Sequence, residues 1–286
     1  MLAAGLLAGL LMLALACPLY AFEDDDTKDA GPSPPPMSFE QSRNAVRILD
    51  EDEVDRQKEK TEKVGTRIRI DALKEAALSY GARAGLAWRT FQVQRRLAEN
   101  DGNISQIFNF HHLLIAAPSG LLIEPPVVSE AQKAVLVASG GQSAAVADRV
   151  YRINRTARIV TAPRNWRAYL ERDWGKVDPP PQALYPKSAE EMQHWRMWMD
   201  RGWEEGVRQA DDVFQSDLDR LNTDYLGMIR YREMLAHGMI TPPYATQEDR
   251  GVTGNGNEMR IGDRGLQITG PPQFNQKSDR WITAPR

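Results

Sequence analysis

The sequence predicts an α+β protein with long amphipathic helices, short β regions and a C-terminal β-hairpin. Three observations predict it. Apolar residues recur at helical spacing from Ile68 to Glu99 and again from Ser188 to Leu235; they alternate from Val146 to Thr161; and two short β-like runs near the C-terminus flank a glycine-containing turn. Composition agrees: of 286 residues, 42% are hydrophobic and 26% charged, with 36 basic against 39 acidic side chains. These values fit a globular chain and exclude a disordered protein, a collagen and a polytopic membrane protein. The near-neutral balance also argues against a nucleic-acid binder driven by bulk charge, which needs a concentrated basic surface.

Residues Met1 to Phe22 carry no charge and meet Glu23-Asp24-Asp25-Asp26 abruptly. Such a short apolar stretch reads as a secretory signal over residues 1–21, not a spanning helix. The single cysteine, Cys17, follows Ala14-Leu15-Ala16, where a lipoprotein signal places the residue that becomes acylated. Lipidation there is the favoured reading, and cleavage by an ordinary signal peptidase after Ala16 or Ala21 is the alternative. One cysteine excludes an intramolecular disulfide and a Cys-based zinc site.

Residues 22–64 read as a flexible acidic, proline-rich linker. Glu23 to Lys63 sum to −6 and include Gly31-Pro32-Ser33-Pro34-Pro35-Pro36, so the remainder, at +3, differs in sign. The charged run Asp50 to Lys63 offers no apolar stripe to bury. Residues 65–286 then form a single α+β domain.

In the first long helix Ile70, Leu73, Ala77, Tyr80, Ala84, Trp88 and Phe91 line one face, and Asn100-Asp101-Gly102 ends it. Ala77, Gly81 and Gly85 stand four apart; each interior glycine costs about 1 kcal/mol relative to Ala, so close approach of another backbone is their expected purpose. Between Ile104 and Val128 the pattern shortens to β-like clusters, Ile107 to Phe110 and Leu121 to Ile123, stopped by Glu124-Pro125-Pro126. A short helix is expected over Trp166 to Trp174. The second long helix opens with a capping box, Ser188 to Glu191, and at about 1.5 Å per residue spans roughly 75 Å if unbroken. Gly202, Gly206 and Gly227 are candidate kinks, so it either folds back as a helical hairpin or projects toward another subunit. The C-terminal hairpin is expected to pair Met259-Arg260-Ile261 with Leu266-Gln267-Ile268 across Gly262 to Gly265.

No catalytic constellation is visible. His111 and His112 are adjacent and point to different faces, and neither His194 nor His237 lies in a His-Glu-x-x-His spacing. Gly254-x-Gly256 lacks the strand-to-helix context of a phosphate loop, and no Gly-x-Ser-x-Gly elbow occurs. Five of the seven tryptophans fall within residues 166–203. They are read either as a core between helices or as an interaction surface, and Trp198, off the Trp195-Trp203 line, suits the second reading best.

The segments Ala157 to Pro163, Trp166 to Leu170, Trp203 to Gly206, Asp224 to Met228 and Gly251 to Ile261 resemble the DotC family of lipoproteins from type IVB (Dot/Icm-like) secretion systems, including its relative in the IncI-type plasmid transfer region. The similarity runs from about Ile70 to the end. The resemblance implies a structural, non-catalytic lipoprotein subunit of an outer-membrane core complex at the periplasmic face. It would work in a hetero-oligomeric ring beside a DotD-like lipoprotein and a DotH-like core subunit, without cofactor, metal or nucleic acid. Lipidation falls to Cys17, and partner contacts are expected at Trp166, Tyr169, Trp198, Trp203, Tyr225, Asn255, Met259 and Arg260. The alternative from another class is an exported cell-wall-acting enzyme or periplasmic ligand-binding protein, which needs a deep pocket with converging polar groups.

Overall fold

A computed structural model describes residues 34–50, 53, 66–117, 120–137 and 144–282; the leader, Cys17 and most of the charged run from 51 to 65 lie outside the described residues. The first described helix, α1 (Phe39–Asn44), is fixed by a capping box: Ser38 Oγ accepts from the Gln41 amide while Gln41 Oε1 accepts from the Ser38 amide. Ser42, Val46 and Leu49 are buried, and the compact unit runs from Pro35 to Arg286. Part of the stretch expected to be linker is therefore built into the body, because its few apolar residues find a face to cover.

Helix α2 (Thr66–Glu99) follows the expected span. It gives way at Asn100 to α3 (Asp101–Ile107) and a 3₁₀ turn over Phe110–Leu113. The apolar cluster at 107–110 is thus helical and turn-like instead of β-like, since Asn109 Oδ1 accepts from the His111 amide and starts the turn. Strands β1 (Ile115–Ala116), β2 (Leu122–Glu124) and, further on, β5 (Arg158–Val160) make a small antiparallel sheet in the order β1-β2-β5. Buried Pro125 and Pro126 separate β2 from β3 (Val127–Val137); lacking N–H groups, they cannot extend a ladder. Strand β3 pairs with β4 (Ala144–Arg155) as a long two-stranded ribbon. The alternation from Val146 covers β4 and β5, whereas β3 escaped the sequence reading because most of its apolar residues, Val127-Val128 and then Ala134 to Val137, cluster at its two ends instead of alternating.

The helix expected at 166–174 is a single turn, α4 (Arg167–Leu170). Ser188 then caps α5 (Ala189–Ala236), whose 48 residues run without a break, for a length of about 72 Å. It does not fold back as a hairpin. Instead α5 lies parallel to α2: Arg69 pairs with Glu191 and Arg89 with Asp211, twenty residues further along both helices. Parallel neighbours require a long crossover, supplied by everything between Asn100 and Ser188.

The glycines of both helices mark where the two meet. A Cβ on Gly81 would collide with the Met199 carbonyl and one on Gly85 with that of Trp203; reciprocally, Gly202 sits on the Leu78 carbonyl and Gly206 on that of Ala82. The four-residue spacing thus marks a seam where two backbones touch, as α2 predicted, and Gly202 and Gly206 of α5 belong to it, whereas Gly227 lies against Val127 and Val128 of β3. Around the seam Leu73, Ala77, Tyr80, Ala84, Met192, Trp195, Trp198, Met199 and Trp203 form one core cluster. A second cluster joins the far half of α5, through Leu221 and Met228, to Phe110, Trp166, Tyr169 and Leu170.

Strands β6 (Tyr244–Asn255) and β7 (Glu258–Gly270) form the C-terminal hairpin. Its turn is at Gly256-Asn257, not at 262–265: Gly254 faces Met259, and Gln247 faces Leu266. Asn255 Oδ1 accepts from the amides of Asn257 and Glu258 and so selects that turn. Gly254, at φ +154°, leaves room for the Glu258 carbonyl that a Cβ would strike. Among the described residues no helix is long and apolar enough to cross a membrane.

Candidate functional site

Seven arginines fall between Arg149 and Arg172, and the fold gathers several of them against the second half of α5. Asp224, buried on α5, receives Arg155 through two contacts of 3.0 and 3.1 Å, Arg164 at 2.7 Å and the Tyr169 hydroxyl at 2.6 Å. Glu124, at the end of β2, holds the other side of Arg164 at 2.5 and 2.9 Å and also takes Arg158 at 3.1 Å. Two turns earlier on α5, Asp217 binds Arg172 at 2.5 and 2.9 Å and Arg220 at 3.3 Å. Arg220 also lies over the Tyr169 ring, 5.5 Å from its centroid.

The backbone explains this convergence. Asp217 and Asp224 are seven residues apart, two helical turns, and project from one side of α5. Arg155 ends β4 and Arg158 begins β5; Arg164 lies in the extended segment before α4, and Tyr169 is on α4. Each buried carboxylate is held by two guanidinium groups, which a charge this deep requires.

The electrostatics follow from the packing. Burial works against the charge of Arg164, but its hydrogen bonds to Glu124 and Tyr169 outweigh that and raise its pKa. Burial, together with the hydrogen bond to Asp224, pushes the Tyr169 phenol above its ordinary value, opposed by Arg164. It therefore stays a neutral donor at neutral pH. The hydrogen bond from Arg172 holds Asp217 below the usual aspartate range, against the opposing effect of burial. Carboxylates whose lone pairs are occupied by guanidinium groups are poor general bases, and here they tie chain segments to α5.

The lattice has a surplus. Five arginines, at 155, 158, 164, 172 and 220, meet three carboxylates, at 124, 217 and 224, leaving a local charge of about +2. Arg155, Arg158, Arg164, Tyr169, Arg220 and Asp224 line a concavity of about 400 Å³. Arg155, Arg158 and Arg220 keep 40–56% of their side-chain surface exposed. Guanidinium N–H groups left over from the ion pairs suit an anionic group.

Of the residues expected at partner surfaces, Trp166, Tyr169, Trp198 and Trp203 are buried inside the chain. The Trp166 indole donates to Ser105 Oγ at 2.9 Å, Trp203 packs edge-on to Phe39 at 5.2 Å, and Trp198 covers the first core cluster. Tyr225 is half-buried, edge-on to Phe108 and Phe110. Asn255, Met259 and Arg260 are exposed at the turn end of the β6–β7 ribbon. The arginine lattice was not among the expected site residues; the density of arginine from 149 to 172 was the signal that pointed to it. Among the described residues no cluster of ligating side chains could hold a metal ion.

Three of the segments quoted above, Ala157 to Pro163, Trp166 to Leu170 and Asp224 to Met228, meet in this lattice, while Trp203 to Gly206 lies in the helix seam and Gly251 to Ile261 at the C-terminal turn. Residues 67–283 match the profile of the family T4SS_TraI, described as type IV secretory system, conjugal DNA-protein transfer. No curated protein matches the chain.

Proposed function

The chain belongs to this type IV secretory, conjugal DNA-protein transfer family, and from that premise we propose that it is a non-catalytic assembly subunit of the outer-membrane core of such an apparatus. In this reading it is exported, anchored through lipid on Cys17 at the periplasmic face, and seated in a ring beside DotD-like and DotH-like subunits. The observation that carries the reading is the family match over residues 67–283, most of the folded body. Two features of the site support it. The buried carboxylates Glu124, Asp217 and Asp224 are paired within a lattice that holds β2, β4, β5, α4 and α5 together. The segment Gly251 to Ile261 presents Val252, Met259 and Ile261 at 63–76% exposure, more apolar surface than one thin ribbon can use by itself.

The test is co-purification from detergent-solubilised envelopes, with mass spectrometry of Cys17 and of the captured proteins. The intact chain should fractionate with the outer membrane and bring down the core subunits. Met259→Asp with Ile261→Asp should lose those subunits while melting normally, and Cys17→Ser should shift the chain to the soluble periplasmic fraction. Recovery in the cytosol with the leader uncut, or turnover of a reactant by the isolated protein, would overturn the assignment.

A further inference from the structure

Three arginines of the lattice are each held by one nitrogen. Arg155 gives its Nη2 to both oxygens of Asp224, Arg158 its Nη2 to Glu124, and Arg220 its Nη2 to Asp217. A guanidinium carries five N–H donors, so the Nε and Nη1 groups of all three are left without an acceptor among the described residues. None of the three is free to swing, because each is tied to a carboxylate that is at most 7% exposed, and Arg220 also lies over the Tyr169 ring. They line the concavity of about 400 Å³ and carry the local surplus of about +2. No lysine contributes, since none occurs between Lys133 and Lys176 or between Lys187 and Lys277.

We infer that this concavity receives an acidic segment of a partner protein, two carboxylates of which engage Arg155, Arg158 and Arg220. The surplus sets the charge of the ligand at about two negative groups. The all-arginine lining sets its type, because planar guanidinium forks match the paired oxygens of a carboxylate, whereas lysine acts as a point charge. Neither an anionic bilayer nor a nucleic acid fits so small a surplus. Attraction to a leaflet takes clusters of about four to eight basic residues, and nucleic-acid binding takes about six to ten phosphate contacts along a basic stripe. A small dicarboxylate needs more depth, since ligand pockets enclose about 70–90% of what they bind, and here the three side chains keep 40–56% of their surface exposed. A segment standing on a second protein needs no such enclosure, as its own body covers the rim. With the guanidinium groups already fixed, docking costs little side-chain entropy. This inference names the chemistry of one contact in the assembly proposed above and rests on that reading.

The test reads the arginines one by one. The full chain carrying Cys17→Ser is treated with phenylglyoxal in solution, and modification is mapped by mass spectrometry. Acetylated hexaglutamate should slow the reaction at Arg155, Arg158 and Arg220. It should not slow it at Arg95 or Arg208, which are 72% and 66% exposed and paired only along their own helices; hexaglutamine should protect nothing. In complexes captured from envelopes with the parent chain, Arg158 and Arg220 should be protected relative to the free chain. Arg158→Gln with Arg220→Gln should weaken binding of fluorescein-labelled hexaglutamate about tenfold. Melting should change little, because Arg164 still holds Glu124 and Arg172 still holds Asp217. Arg158→Lys with Arg220→Lys should recover only part of the binding, since the charge returns without the fork. Three results would overturn the inference: equal protection of all five arginines, protection by inorganic phosphate (an adventitious ion only) or by phosphatidylethanolamine/phosphatidylglycerol vesicles as strong as that by the peptide, or full reactivity of Arg158 and Arg220 in the captured complex. None of them touches the assembly reading itself, which is decided by fractionation and by which subunits are captured.

Discussion

The two halves of α5 are held by different forces. From Met192 to Ala210 the helix lies on α2 through glycines, so that backbone meets backbone and the contact is dispersion and exclusion of water around Tyr80, Trp195 and Met199. From Asp217 to Asp224 the same helix presents buried carboxylates to Arg155 at the end of β4 and to Arg164 and Arg172 on either side of α4. The first half tolerates no added volume; the second tolerates no missing charge. A close-packed seam sets distance, whereas an ion lattice sets which strands and turns settle beside the helix, since only arginine at those positions can neutralise the carboxylates.

Perturbing each half should therefore fail in its own way. Gly206→Leu should have the largest effect, about 4 kcal/mol or more, since the new side chain starts inside the Ala82 carbonyl. Gly102→Ala, at an open helical position, should instead be neutral or stabilise by up to about 1 kcal/mol; denaturant midpoints compare the two. Equal losses would dissolve the idea of a seam. In the other half, Asp224→Ala leaves Arg164 with one carboxylate and Tyr169 without its acceptor, and should destabilise by about 3 kcal/mol. The isosteric Asp224→Asn should recover only part of this. If Asp224→Ala melted like the parent, the lattice would be ornamental and the comparison broken.

A smaller effect sharpens the distinction through pH. Asp217 has its folded pKa lowered by the hydrogen bond from Arg172. Its contribution is therefore fully present above the ordinary aspartate pKa near ~3.9 and is lost as pH falls through the lower folded value. The melting difference between the parent and Asp217→Asn, about 1 kcal/mol at neutral pH, should shrink below about pH 4. No such convergence is expected for Gly206→Ala. The smallest stability effect belongs to the exposed ends: Met259→Asp should change unfolding free energy by no more than about 0.5 kcal/mol, its consequence appearing in subunit capture alone.

The seam is legible in the sequence, the lattice is not. Gly81 and Gly85 at four-residue spacing inside an otherwise strong helix announce a close approach, because nothing else compensates for interior glycine. Gly202 and Gly206 carry the same spacing, yet beside Trp198 and Trp203 they read equally well as kinks; choosing between the readings requires the partner helix. The hairpin was legible as a hairpin, but its register was not. Gly262-Asp263-Arg264-Gly265 and Gly254 to Asn257 are both acceptable turns, and the Asn255 side chain decided between them. The tryptophans show the reverse limit, since Trp166, Trp198 and Trp203 have the residue type of an interface and the burial of a core.

The sequence by itself determined what is local: two long helices with their ends, the capping box at Ser188, and the alternation of β4 and β5. Those follow from forces acting within a few residues along the chain. The tertiary structure alone decided that α2 and α5 run parallel and that Arg155 and Arg164 meet Asp224 across some sixty to seventy residues of chain. Such choices depend on which distant surfaces exclude water together, and many arrangements share the same local pattern.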